Sequence, residues 1–422
     1  MSMTLTEKII ARAAGIAAVK AGAEVFARPD HAFAYDFPGI NDKLYEALVQ
    51  TGGEEKSLPS DQRVMFIDHL TTRSSRRIDA VHDETRSAAK KYGFTLHEDL
   101  GIGHQVMLEL GYVLPGNLLV HFDSHVATAG AHGALGLGIS NNYVTVWVNG
   151  GWNMRVPASV KVTLTGAMEA RIDARDLLHH MVRTAPIDQV IGAVLELGGP
   201  GLASIPVGMR QSFCGMSVFT GAATAICLPD DAAIDDLRRR FKRDDIQPLM
   251  PDADASYRHE MEVDLGTIEP MIVRPGSARP DHVERVSALA GTAINRAFIG
   301  SCVSGRIEDI REAASVLRGR HVKEGVEFLI APSSAEVARQ AAEEGLLAEL
   351  EAAGATVGAA SCDYCFGFAA PLAPGETCIS TGTLNISGRM GSAKADIYLA
   401  SAYSVAAAAV AGEVIDPRQL GA

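Results

Sequence analysis

Three apolar runs in this sequence break off in side chains that can move protons or bind metal. Val64-Met65-Phe66-Ile67 ends in Asp68-His69, Asn117-Leu118-Leu119-Val120-His121-Phe122 ends in Asp123-Ser124-His125, and Phe298-Ile299-Gly300 ends in Ser301-Cys302. An aspartate next to a histidine, or two residues before it, can orient the imidazole and raise its basicity, which suits a proton-transfer group or a metal-linked base. Such pairs are also ordinary at strand ends, where polar side chains gather. Cys362-Asp363-Tyr364-Cys365 is a C-x-x-C with three readings: half a zinc site, a redox pair, or part of an iron–sulfur site. The sequence has no second C-x-x-C, and Cys214, Cys227, Cys302 and Cys378 are scattered, so a zinc site of four thiolates needs widely separated partners. Three thiolates from Cys302, Cys362 and Cys365 would bind three irons of a cubane cluster and leave the fourth open. An open iron is a Lewis acid that can take a hydroxyl and a carboxylate oxygen, making hydroxide a tolerable leaving group. Cys214, Cys227 and Cys378 read as small buried hydrophobes.

These groups need elements that hold them still. In the last third of the chain, short β-branched runs alternate with helical stretches: a strand over 297–300 and a helix over 306–317, then a strand over 326–331 and a helix over 334–344. Ser333-Ser334-Ala335-Glu336 fits a capping box at the start of that second helix. Alternation of this kind predicts largely parallel sheets with helices on both faces, and ligands collect outside the carboxyl ends of such strands. The fold class expected is therefore α/β. The glycines of Gly130-Ala131-His132-Gly133-Ala134-Leu135-Gly136-Leu137-Gly138 do not follow a phosphate-binding spacing and suit close packing instead. Residues 1–20 read as an amphipathic first helix, and 398–412, mostly alanine, as a buried helix too short to cross a bilayer.

At 422 residues the chain is too long for one core, and 47% hydrophobic with 21% charged residues is the composition of a folded protein. A net charge of −13 repels phosphate backbones, making nucleic acid and anionic membrane poor partners. The basic run Arg238-Arg239-Arg240-Phe241-Lys242-Arg243 reads as one face of a solvated helix. Six cysteines without an export signal point to the reducing cytoplasm. We expect three segments: 1–160, carrying the Asp-His and Asp-Ser-His motifs; 161–280; and 281–422, carrying the cysteines.

Gly300-Ser301-Cys302-Val303-Ser304-Gly305-Arg306-Ile307-Glu308-Asp309, the Cys362-x-x-Cys365 pair, Asp123-Ser124-His125 with the following Gly130-Ala131-x-Gly133-Ala134-Leu135-Gly136, and Asp416-Pro417-Arg418 together resemble the large subunit of 3-isopropylmalate dehydratase, in the aconitase superfamily. The match runs in order over nearly the whole chain and includes Asp68-His69, His104-Gln105, Pro115-Gly116, Glu269-Pro270 and Gly319-Arg320. The resemblance implies three α/β domains around a central [4Fe-4S] cluster held by Cys302, Cys362 and Cys365. It also implies stereospecific dehydration and hydration of a hydroxy-acid. Carried over by residue, Asp68 and His69 lie near the departing hydroxyl and His104 lies beside the cluster. Asp123 and His125 organise cluster-bound water, and Ser124 and Arg389 bind substrate, Arg389 facing its carboxylate. The family's base is a serine on a swivelling domain. The chain stops at Ala422, where such large subunits end, so a small partner subunit carrying that domain is expected.

The departures bear on substrate. Val303-Ser304 replaces the usual Thr-Asn after the cluster cysteine, and Gly382-Thr383-Leu384-Asn385-Ile386 replaces Ser-Asn-Arg-Asn-Phe, so Leu384 stands where an arginine would grip carboxylate. Tyr35 precedes Asp36 where histidine is common, and Val126-Ala127 replaces Thr-Cys or Thr-Pro. Leucine suits an apolar or uncharged substrate group; Arg274 and Arg279, around Pro275, are candidate substitutes for the missing cation. The expectation is a paralogue with the same chemistry on another 2-hydroxy acid. The alternatives are a true 3-isopropylmalate dehydratase, a cluster-bearing sensor or RNA-binding protein, and a zinc-stabilised protein without activity.

Overall fold

The computed structural model describes residues 1–37, 41–50, 58–276 and 281–420. Arg279 lies outside the described residues.

Three sheets carry the architecture, and all are mainly parallel. The first has five parallel strands in the order Thr95–Glu98, Arg63–Ile67, His31–Tyr35, Leu118–His121, Leu135–Gly138. Its central strands are apolar on both faces, as a sheet covered on two sides requires: Phe33, Ala34, Val64, Met65, Leu119 and Val120 are all buried. The chain winds outward from His31–Tyr35 one way, then returns to Leu118–His121 on the other side. These two neighbours therefore form the switch point where a doubly wound sheet opens a crevice at its carboxyl end.

The second sheet has four parallel strands in the order Thr224–Cys227, Val194–Gly198, Ser159–Thr165, His259–Asp264. The third runs Val283–Arg285, Met271–Val273, Asp396–Ala400, Thr377–Ser380, Arg296–Ile299, Glu327–Ile330, Ala355–Val357. Its last five strands are parallel, and Met271–Val273 pairs antiparallel with both of its neighbours. Met271–Val273 thus enters the third sheet ahead of the expected segment border at 280/281.

Several local expectations are corrected. The 335–343 helix is capped by Ser334, whose hydroxyl accepts from Val337 N, rather than by a box on Ser333; Glu336 instead pairs with Arg339. Residues 396–400 form a strand because Ile397, Leu399 and Ala400 are needed in the sheet, and the alanine-rich helix begins only at Ala402. The first helix is Leu5–Ala13, closed at its start by a capping box between Thr4 and Glu7. The basic run does not form one helical face: the helix Asp231–Phe241 ends with Lys242 in the left-handed region, and Arg243 pairs with Asp245 beyond it. The glycine run is a packing device, since a Cβ on Gly130 would lie 2.0 Å from the Ala225 carbonyl oxygen.

The first and third sheets meet at their carboxyl ends. Ile102 N donates to the Ser333 carbonyl, Gly101 bridges to Ser334, and Cys362 N donates to the Asp68 carbonyl. Among the described residues no helix is long and apolar enough to cross a membrane.

Candidate active site

Both carboxyl edges deliver reactive side chains to one buried volume. From the first sheet come Tyr35 and Asp36, Asp68 and His69, and the turn after His121 that carries Asp123, Ser124 and His125. From the third come Cys302 after Arg296–Ile299, the Cys362–Cys365 turn after Ala355–Val357, and the loop from Gly382 to Arg389 after Thr377–Ser380.

Asp68 and His69 are both 2% exposed. Asp68 Oδ1 lies 2.6 Å from His69 Nδ1, and Asp68 Oδ2 accepts from Gly103 N at 2.8 Å. The carboxylate thereby fixes the ring with Nδ1 as donor and leaves Nε2 without a partner among the described residues. Burial opposes charging of His69, yet Asp68, aided by Asp36 and Asp363, raises its pKa overall. A ring held in this way can deliver a proton to a leaving hydroxyl. Behind it, His82 Nε2 is 3.1 Å from both the His69 carbonyl and Asp36 Oδ2.

The second pair repeats the device. Asp123 Oδ1 is 2.6 Å from both His125 Nδ1 and His125 N. Burial disfavours the Asp123 anion, but His125, His104 and His121 hold its carboxyl well below the usual range. Burial likewise disfavours charged His125, and Asp123 with the neighbouring sulfur of Cys302 overrides it, keeping the imidazole well above its usual pKa. His104, 3.9 Å from Asp123 Oδ1, goes the other way: burial lowers its pKa to about 4, so it is neutral at pH 7. Ser124 starts the 124–132 turn and is packed so tightly that a Cβ on Gly138 would sit 2.5 Å from its Cα.

The cysteines sit on two turns that are held rigidly. Gly300, at φ +152°, precedes Cys302 by two residues, and a Cβ there would lie 2.8 Å from the Ala331 carbonyl oxygen. Cys302, Cys362 and Cys365 are free thiols, the last two buried. Burial, then Cys302, Cys365 and Asp68, pushes the Cys362 thiol well up. Sulfurs that oppose one another's ionisation in this way are ionised together only when a cationic centre lies among them, so these residues form a set able to hold a soft metal or cluster. Arg389 Nη2 is 3.9 Å from Cys365 Sγ, and the guanidinium stacks 3.5 Å from the Phe366 ring centroid. Leu384 is half-buried on the same loop. Arg274 is exposed beside it, its carbonyl accepting from Asn385 Nδ2.

Sequence reasoning missed Asp363, although it lies inside the C-x-x-C. Its carboxylate accepts from Leu70 N at 2.6 Å, Thr72 N at 2.9 Å and Thr72 Oγ1 at 2.7 Å. Leu70 has φ +58°, an uncommon conformation for a leucine, directly after His69. Asp363 thus clamps the Asp68-His69 turn to the cysteine turn. His82, His121 and Phe366 were also missed; a histidine within a helix or strand and a lone aromatic give no spacing signal. Asp363→Ala is expected to destabilise the isolated chain by about 2 kcal/mol, because three partly buried donors lose a charged acceptor. Urea unfolding checks it, and a loss under about 0.5 kcal/mol would show that the clamp does not bear on stability.

The model of the aconitase family (aconitate hydratase) matches residues 54–291 and 281–412. The chain is 35% identical to 3-isopropylmalate dehydratase large subunit 1 of Methanopyrus kandleri, over 99% of each chain. It is 34% identical to the homoaconitase large subunit of Thermus thermophilus, over 100% of this chain and 98% of the other. Among solved structures it is similar in fold to the holo-form of aconitase X from Thermococcus kodakaraensis, with a TM-score of 0.50 at 12% identity, covering 86% of this chain and 85% of that one.

Proposed function

The chain belongs to the aconitase family, and on that premise we propose that it is the large subunit of an iron–sulfur hydro-lyase acting on a 2-hydroxy acid. The observation that carries the reading is the convergence of three free cysteines with two aspartate–histidine pairs at the facing carboxyl edges of two sheets. We assign Cys302, Cys362 and Cys365 as ligands of a [4Fe-4S] cluster. Among the described residues the Nε2 atoms of His69 and His104 have no hydrogen-bond partner, and His125 faces the Cys302 sulfur, which fits a centre that brings its own ligands. When bound, such a cluster supplies a Lewis acid that eases departure of a hydroxyl and takes up carboxylate charge.

The chain's own residues do the rest. His69, aligned by Asp68, gives its proton to the departing hydroxyl, so that the C–O bond breaks and water leaves. His125, aligned by Asp123, and neutral His104 hold and orient water on the opposite side. Arg389, stacked on Phe366, faces the substrate carboxylate, and we assign Ser124 to substrate binding as well. The proton alpha to that carboxylate is weakly acidic and needs a base; we assign this base to a small partner subunit carrying a swivelling domain, as the large-subunit relatives suggest. The loaded chain alone should then turn over little or no substrate, and full turnover unchanged by any small subunit would refute the assignment. We read the three sheets as three domains and place the protein in the cytoplasm, where free thiols persist.

Substrate choice follows from Leu384. A bidentate arginine–carboxylate bond contributes roughly 1.5 to 3 kcal/mol, so leucine there leaves a buried carboxylate poorly paired. We therefore favour a substrate with an apolar or uncharged group at this point over 3-isopropylmalate itself. Leu384→Arg should shift kcat/KM towards the diacid by about tenfold or more. A wild type that already prefers 3-isopropylmalate, with a ranking that Leu384→Arg leaves untouched, would show that position 384 does not face substrate.

A further inference from the structure

Tyr35 is the last residue of the strand at the switch point of the first sheet, and it is 8% exposed. Its position touches both aspartate–histidine pairs at once. The ring centroid lies 4.5 Å from that of His69, 5.1 Å from His121 and 6.1 Å from His104. Its hydroxyl lies 3.1 Å from Asp123 Oδ2. Burial and the nearby carboxylate of Asp123 push the phenol's pKa upward, so the bond has one polarity, with Tyr35 donating.

That polarity decides what Asp123 can do. Its Oδ1 is taken by the backbone N and the Nδ1 of His125, while His104 Nε2 lies 3.9 Å from that oxygen without a partner among the described residues. A carboxylate held through one oxygen only could rotate and offer the other to His104. With Oδ2 pinned by Tyr35, the carboxylate stays turned to His125. We infer that Tyr35 is a positioning residue, whose hydroxyl commits Asp123 to His125 and leaves His104 free, while its ring backs His69. The inference rests on the hydro-lyase reading and deepens it, since it ties the proton donor on one side of the substrate to the water-holding pair on the other.

Tyr35→Phe tests it, because the ring that fills the core is kept and only the hydroxyl is lost. In the cluster-loaded enzyme with its small subunit, kcat should fall about tenfold, as expected for one hydrogen bond to a charged group. KM should stay within about twofold, because the hydroxyl is committed to Asp123. In an Asp123→Asn background the same change should cost nothing further. The second readout needs no turnover: in the 15N-labelled chain without cluster, at fixed pH, the Nδ1–H signal of His125, which Asp123 Oδ1 accepts, should shift and exchange faster with water as that bond loosens. Unchanged His125 resonances in Tyr35→Phe would overturn the inference, and so would a kcat loss undiminished in the Asp123→Asn background. An enzyme that turns over no hydroxy acid at all would instead sink the hydro-lyase reading, and the resonances would still decide the role of Tyr35.

Discussion

Anaerobically purified protein carrying serine at Cys302, Cys362 or Cys365 is expected to lose most of its iron, whereas serine at Cys214, Cys227 or Cys378 leaves the iron content at the wild-type level. The two groups differ in what surrounds them. Cys362 and Cys365 share a turn whose backbone is fixed by Asp68 and by the Cys365 N to Cys362 carbonyl bond, and Cys302 faces His125 from the opposing turn. A serine hydroxyl does not ionise to a soft ligand at neutral pH, so one change would remove one of the three ligands assigned to the cluster, a set with no spare. Cys214 and Cys227, by contrast, pack against each other at 3.8 Å in the core of the second sheet, and Cys378 is buried inside a strand of the third. Their loss costs packing and little else. Iron analysis and the visible spectrum check the outcome; equal iron in all six variants would remove the cluster assignment.

The second large effect belongs to Asp68→Asn. The substitution keeps shape and volume at a position that is 2% exposed, and a side-chain oxygen remains to accept from Gly103 N. What changes is the partner of His69 Nδ1. An amide in place of the carboxylate no longer stabilises the imidazolium, and it can donate to Nδ1, which moves the ring proton to the wrong nitrogen. Loss of a correctly held acid costs about 10²- to 10⁴-fold in kcat. Iron content should be unchanged, which separates this variant from the cysteine variants. A kcat within about threefold of wild type would show that His69 does not supply the proton.

Much of this site was legible because its residues end apolar runs. Asp68-His69, Asp123-Ser124-His125 and Cys302 each close a buried strand, and a parallel sheet places such ends on one edge. The sequence pattern could not say which edges face each other. That depends on long-range bonds such as Leu70 N to Asp363 and Ile102 N to Ser333, between residues more than two hundred positions apart. For the same reason Asp363 looked like a spacer within C-x-x-C, and Ser333 like a cap when Ser334 is the one with extended backbone. The run from Tyr398 misled because alanine-rich sequence favours helix, while its first three residues were required by the third sheet. Tyr35 was visible only as a departure from the family's pattern; its bond to Asp123 joins residues that the fold alone brings together.

The most direct test of the hydro-lyase reading is the ultraviolet absorbance of product alkene, followed anaerobically. The cluster-loaded chain is mixed with candidate small subunits and a panel of 2-hydroxy acids that includes 3-isopropylmalate. Absorbance should rise on at least one substrate, only when cluster and small subunit are both present, and faster on a substrate with an apolar or uncharged group than on 3-isopropylmalate. A fully loaded chain that gives no alkene from any substrate with any small subunit would contradict the reading.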